Sequence, residues 1–376
     1  MKNFSLDAYL KDLADIVSID SGSFDEKGTN AVADYFIEKY RALGLIVEKK
    51  YLDGYTPSPF VTVRNSDSER IDVMMIAHMD TVFAAGEAAE RPFRIDGEGH
   101  VRGPGCLDCK GGCMSMYYLI KSMMEAGEVN FNFCACMNSD EEKGSRKSRG
   151  FIEEIAQKSD FCLIFEPGRE HEEYVEMRKG GGNYLITCHG IAAHSGADPE
   201  KGASAVVELA RWVVELQKFF NIEEGTTINF GRFDGGKNNG QVPDFADMTV
   251  SLRTMDPKRA EYIDRRIHEM AENPFDPRCT IEVNTLTSRP AMYPHEKSKA
   301  FIKLLREVGE ELDFPIVTVS TGGGSDGNFI AHYGVATIDG CGPSGGHMHT
   351  VDEYLIKETV EKRLDVMRAL LLRTFA

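Results

Sequence analysis

The stretch IDVMMIAHMD (71–80) decides how the first half of this chain is read. Ile71–Ala77 is a short apolar run of strand length, suited to a strand covered on both faces. His78 and Asp80 follow at once, so a nitrogen donor and a carboxylate stand just past the strand's C-terminal end. Working outward, residues 29–43 carry a helical apolar pattern, and Lys110–Met124 reads as a helix entered through Gly111 and Gly112. Phe131–Met137 and Phe161–Phe165 read as further strands. Strands alternating with helices predict an α/β layered domain with a largely parallel sheet. In such a sheet, ligand sites form outside the carboxyl ends of the strands.

Several acidic turns fall at that edge. Asp108 lies in the turn before a helix, Asp140-Glu141-Glu142 follows the second strand, and Glu166-Pro167 follows the third. Singly, each has a bland reading: loop polarity for His-x-Asp, dipole-favoured acids at a helix start for Glu-Glu, a turn for Glu-Pro. Their common placement, with His347 and His349 in a late glycine-rich loop, is poorly explained that way.

After Gly180–Gly182 the texture changes. Tyr184–His189, Thr226–Phe230, Asp247–Arg253 and Thr280–Thr285 read as strands, with helices over 202–220 and 257–272. That order fits a small split-βαβ sandwich. From about residue 293 the earlier pattern returns, with a helix, a strand at Ile316–Val319, a glycine-rich turn and a closing helix. The expected organisation is a catalytic metal-binding domain (1–179 and 292–376) interrupted by an inserted lid and dimerisation domain (180–291).

The 376 residues exceed what one hydrophobic core usually serves. A net charge of −17 makes nucleic acid and anionic membranes poor partners. No segment approaches the roughly 18 uninterrupted apolar residues of a membrane span. MKNFSLDAYLKDL (1–13) reads as an amphipathic helix rather than a signal peptide, so the expected location is cytoplasmic. The nine cysteines, with Cys134, Cys136 and Cys162 inside apolar strands, predict reduced buried thiols. Cys106 and Cys109 form a CxxC, but no second CxxC pairs with it, which disfavours a redox or structural-zinc protein.

Eight segments run in one order along the chain: IAHMDTVF (76–83), RGPGCLDCKGG (102–112), NSDEEKGSRKSRGFI (138–152), IFEP (164–167), GIAAHSGADPEKGASA (190–205), SRP (288–290), TGGGSDGNF (321–329) and GGHMHTVDEY (345–354). In this the chain resembles the M20 metallopeptidases, and among them the glutamate carboxypeptidase-like branch. The resemblance implies a zinc-peptidase-like three-layer α/β catalytic domain. It also implies an inserted α+β (split βαβ, ferredoxin-like) domain that pairs subunits into a homodimer.

The resemblance further implies two zinc ions, replaceable by cobalt or manganese. His78, Asp108 and Glu166 would hold one; Asp108, Glu142 and His349 would hold the other, with Asp108 bridging. Nitrogen and oxygen donors of this kind suit zinc. Glu141 is then the general base, and Asp80 orients the His78 imidazole. His349 is preferred to His347 as ligand because HTVDE matches the family's spacing from this His to a following Glu. The Asp108–Cys109 link is where the family has a cis peptide, and Cys109 stands where the family usually has Met, so Cys106 and Cys109 are read as packing residues.

By the same resemblance, His194 reaches across the dimer to stabilise an oxyanion, and Arg289 grips the substrate α-carboxylate. Gly323 and Ser325, in the TGGGS turn, would add backbone N–H donors near that carboxylate. Asn239 stands one residue before the family's Asn position, which Gly240 occupies here. The expected activity is release of a C-terminal amino acid, glutamate-like by preference, from a small peptide or N-acyl amino acid. An N-acyl amino acid deacylase or a dipeptidase would use the same chemistry. A non-catalytic amino-acid or peptide binder is disfavoured because Glu141 and every ligand position are retained.

Overall fold

The computed structural model describes residues 4–23, 25–52 and 58–376, so the first three residues of the amphipathic N-terminal stretch lie outside it. Two compact units are present. One comprises Met1–Glu176, Pro294–Ser320 and Ser325–Ala376; the other comprises Met177–Tyr293 with Thr321–Gly324.

The first unit is built on a six-stranded sheet. Its order is Ile46–Leu52, Ser58–Arg64, Phe133–Asn138, Ile71–His78, Ser159–Ile164, Ala336–Ile338. Ile71–His78 is parallel to both its neighbours, and Ala336–Ile338 is parallel to Ser159–Ile164. The first two strands pair antiparallel along one edge. The period-2 alternation of the strands explains the layering. Val73, Met75 and Ala77 join Tyr9, Phe36, Met116 and Leu364, from four helices, in one core. Met74 and Ile76 point the other way and pack with Ile152 and Phe329 in a second core. A strand buried on both faces needs no polar alternation, which is why VMMIA (73–77) is continuously apolar and Asp72 stands at the strand's start.

Three features of this unit differ from the sequence reading. The strands Ile46–Leu52 and Ser58–Arg64 were not foreseen; the first reads IVEKKYL, its apolar residues interrupted by three charged ones, and lies at the sheet edge. The strand expected at Ile316–Val319 is instead Thr318–Thr321, and it pairs with Tyr174–Arg178 in a separate two-stranded ribbon. The strand that returns to the main sheet is Ala336–Ile338, three residues too short to leave a periodic signal. The first helix, Leu6–Val17, is capped by the Ser5 hydroxyl, which accepts the Ala8 N–H.

The second unit holds a four-stranded antiparallel sheet in the order Thr227–Gly235, Phe245–Arg253, Gly181–His189, Thr280–Arg289. Its helices are Ala205–Gln217 and Pro257–Glu272. Tyr184, Ile186 and Cys188 alternate with more exposed residues and pack with Trp212, Met248 and Ile267 in the unit's core. This is the split-βαβ order expected from the sequence. All nine cysteines are free and buried. No helix among the described residues is long and apolar enough to cross a membrane.

Candidate metal and catalytic site

Register brings the site together. His78 stands opposite Asn138 and Ile76 opposite Ile164, so three parallel strands end at nearly the same level. The residues that follow them, His78 to Asp80, Ser139 to Glu142 and Phe165 to Glu166, therefore emerge at one sheet edge. Asp108 comes from the loop that leads into the helix Lys110–Glu125. His349 comes from the loop before the strand Tyr354–Ile356.

Two donor groups result. In the first, the ligand atoms of His78, Asp108, Cys109 and Glu166 lie within 4.8 Å of one another; in the second, those of Asp108, Glu142 and His349 do. Asp108 belongs to both. Its Oδ1 is 3.1 Å from His78 Nε2, and its Oδ2 is 3.1 Å from His349 Nε2. Glu166 Oε1 is 3.5 Å from His78 Nε2, and Glu142 Oε2 is 3.3 Å from His349 Nε2. The Asp108–Cys109 peptide is cis. The Cys109 thiol donates to the Phe165 carbonyl at 3.1 Å, and burial pushes its pKa well above the ordinary thiol value. It stays a protonated packing group behind the carboxylates. His347 lies exposed, its ring 5.8 Å from that of Tyr354.

Asp80 does more than face the imidazole. His78 Nδ1 is 2.9 Å from the Asp80 backbone carbonyl and 3.4 Å from its carboxylate. A carbonyl only accepts, so the neutral ring carries its proton on Nδ1 and turns the Nε2 lone pair toward Asp108 and Glu166. The buried Asp80 carboxylate accepts the Glu141 and Glu142 N–H groups, each at 3.2 Å, and the Ser23 hydroxyl at 2.7 Å. It thereby fastens the turn that presents both glutamates. From beneath, Asn138 donates to Asp326 at 2.7 Å and to Ser148 at 3.2 Å, while Asp140 accepts the Lys147 N–H at 2.8 Å. Neither Ser23 nor Asp326 stood out in the sequence; only their tertiary contacts reveal them.

The electrostatics of the two donor groups would suit a cation. Burial opposes ionisation of Asp108, but hydrogen bonds from His349 and His78 hold its carboxyl below the usual range. Burial raises Glu142, and its Oε1 is buried with no hydrogen-bond partner among the described residues. Hydrogen bonds to Asp108 and Glu142 push His349 up to about 10. Burial alone would depress His78, yet hydrogen bonds to Asp108 and Asp80 and the nearby Glu166 carboxylate raise it well above its ordinary value. The neighbouring carboxylates thus favour an extra proton on both rings when no cation is bound, and a cation would have to displace it. Uptake of zinc near pH 7 is expected to release protons, with apparent affinity climbing as pH rises toward about 10. Calorimetric titration in two buffers of different ionisation heat checks this; identical heats in both would refute it.

The remaining sequence-selected residues sit as follows. In the second unit, His194 is exposed, and its Nδ1 accepts the N–H groups of Gly196 and Ala197 at 3.1 and 3.0 Å. Asn239 is exposed in the adjoining turn, where its carbonyl accepts the Ser195 hydroxyl at 3.1 Å. Arg289 ends the strand Thr280–Arg289 opposite Gly181, and Gly323 belongs to the same unit. Ser325 belongs to the first unit and is fully buried, its N–H donated to Asn328 at 2.9 Å. That amide closes its own turn, so the expected substrate-facing N–H of Ser325 is replaced by a role in holding the turn.

Residues 74–373 match the peptidase family M20/M25/M40, and the chain belongs to that family. It is a hydrolytic enzyme of the metallopeptidase and amidohydrolase class. Among curated relatives, it is 27% identical to carboxypeptidase G2 of Pseudomonas sp. (strain RS-16), covering 95% of this chain and 87% of that protein. It is 25% identical to the succinyl-diaminopimelate desuccinylase of Marinobacter nauticus, covering 80% and 82%. Among solved structures, a tripeptidase from Staphylococcus aureus superposes with TM-score 0.78 at 20% identity, covering 99% of both chains. An M20 family metallo-carboxypeptidase from Sulfolobus solfataricus superposes with TM-score 0.70 at 16% identity, covering 97% and 98%.

Proposed function

We propose that the chain hydrolyses the amide bond to a C-terminal amino acid, preferring a glutamate-like residue, in a small peptide or an N-acyl amino acid. The observation that carries this reading is the divided carboxylate of Asp108, with one oxygen at 3.1 Å from each of two histidines. The likeness to a protein named carboxypeptidase G2 over 95% of the chain supports release of a C-terminal residue.

Two nitrogen-and-oxygen donor groups sharing one carboxylate fit a pair of zinc ions, or cobalt or manganese in their place. The orphaned, buried Glu142 Oε1 is an acceptor that such a cation would satisfy. His78, Asp108 and Glu166 would hold one ion, and Asp108, Glu142 and His349 the other. Bound there, the ions polarise a carbonyl and lower the pKa of water. Glu141 takes the proton of the attacking water and delivers it to the leaving amine. Asp80 keeps Glu141 and Glu142 in place through their N–H groups.

His194 supplies the oxyanion donor. With Nδ1 accepting two backbone N–H groups, its neutral ring carries the proton on Nε2, which is then free to donate. It serves the site of the partner subunit in a homodimer formed through the second unit. Arg289 grips the α-carboxylate, and Asn239 and Gly323 are further substrate-binding groups. The nine free thiols suit a cytoplasmic enzyme.

The likeness to a desuccinylase supports a second reading, a deacylase of N-acyl amino acids by the same chemistry. Hydrolysis of N-acyl glutamates, other N-acyl amino acids and dipeptides by zinc-replete protein, with its mass in solution, tests the proposal. Fastest release of glutamate by a dimer is expected. Equal turnover of substrates whose C-terminal carboxylate is amidated would sink it, and metal binding without any cleavage would favour a binder.

A further inference from the structure

Glu353 lies four residues beyond His349 and serves in the sequence reading only as a spacing marker. Its side chain is 1% exposed. Its Oε2 accepts the Gly105 N–H at 2.9 Å, and its Oε1 accepts the N–H groups of Leu107 and Asp108, also at 2.9 Å. Three converging N–H groups around one buried carboxylate form a backbone anion nest whose anion is a side chain.

The two segments so joined are 245 residues apart in sequence, and each carries part of the site. The Asp108 loop supplies the carboxylate shared by both donor groups. The Glu353 segment supplies His349, in a left-handed backbone conformation with φ +63°, two residues after His347 at φ +57°. Non-glycine residues hold such angles only where their surroundings over-determine them. Tyr354–Ile356, immediately after Glu353, pairs with His100–Arg102, immediately before the Asp108 loop. Glu353 therefore sits at the closed end of a short antiparallel ladder, where a fixed carboxylate can set the distance between the two loops.

We propose that Glu353 is a positioning residue that locks the Asp108 loop to the His349 segment, so that Asp108 Oδ2, Glu142 and His349 keep one spacing as a cation enters. His78 and Glu166 are carried by strands of the central sheet and depend on the lock less. The donor group containing His349 should therefore lose more affinity than the one containing His78 when Glu353 is changed. This rests on the reading of these residues as metal ligands.

The test compares wild type, Glu353→Gln and Glu353→Ala as full-length chains, with Zn2+ followed by calorimetry and Co2+ by its visible d–d spectrum. Glutamine keeps the size and one acceptor oxygen, so the expected order of affinity is wild type, then Gln, then Ala. A loss of roughly 10–100-fold is expected at one of two metal positions, the range for residues that support a ligand. The Co2+ spectrum should change, while the thermal midpoint of metal-free Glu353→Gln falls by less than the loss of affinity would require, the amide facing one N–H donor. Wild-type affinities and an unchanged spectrum in both variants overturn the proposal. So does a fall in the metal-free midpoint of Glu353→Gln that accounts for the whole loss, since that is a purely structural role. If Glu353→Ala does not fold, Glu353→Gln decides. If wild type itself binds neither metal, the ligand reading fails separately. Hydrogen exchange at the Leu107 and Asp108 amides then judges the lock, and unchanged protection in Glu353→Gln overturns it.

Discussion

Glu141→Gln is expected to lower kcat by about 10²–10⁴-fold, the usual contribution of a positioned proton-transfer group. Glutamine matches glutamate in shape but cannot accept the proton of the attacking water. The loss should fall on the chemical step, with KM little changed. Metal content should stay at the wild-type value, because Glu141 belongs to neither donor group. The Glu141 N–H donates to Asp80 from the backbone, which the substitution leaves intact, so the turn carrying Glu142 should hold its place. Steady-state kinetics beside metal analysis of the same samples reads both quantities. Near-normal kcat would remove Glu141 from the proton path. Equal loss of metal and activity would reassign it as a ligand.

Asp108→Asn should have the larger effect on metal itself. Each oxygen of Asp108 serves a different histidine group, so the variant places an amide N–H₂ against one of them and a neutral oxygen against the other. Both positions should weaken, by more than the roughly 10–100-fold typical of a residue that only supports a ligand. Changing Glu166 or His349, each in one group only, should spare one of the two positions. Calorimetric titration of zinc into the three variants separates these outcomes. Loss of a single site in Asp108→Asn would show that the carboxylate is not shared.

Much of the donor chemistry was legible in the sequence because His78, Asp80, Glu142 and Glu166 lie within four positions of strand ends and Asp108 stands just before a helix. IDVMMIA suited a strand buried on both faces, and His78 and Asp80 follow its end by covalent order. The insert was legible for a similar reason: one-sided strands such as Gly181–His189 alternate strictly, and the two helices between them are amphipathic. What resisted reading were elements whose residues carry no such pattern. Ile46–Leu52 is an edge strand whose apolar residues are interrupted by three consecutive charged ones, and Ala336–Ile338 is three residues long.

Sequence by itself thus determined which atoms could take part: two imidazoles, the carboxylates of Asp108, Glu142 and Glu166, and a second carboxylate beside Glu142. Covalent order places Glu141 next to Glu142, and Asp80 two residues from His78, whatever the fold. Only the tertiary structure decided which atom faces which. Strand register levels the three turns at one edge, and the Asp108 loop divides its carboxylate between two histidines. Asp80 spends its carboxylate mainly on backbone N–H groups, Ser325 closes a buried turn, and Glu353 grips a loop 245 residues away. The physical reason is that hydrogen bonds act over about 3 Å, and groups distant along the chain reach that range only once the sheet and its loops are packed.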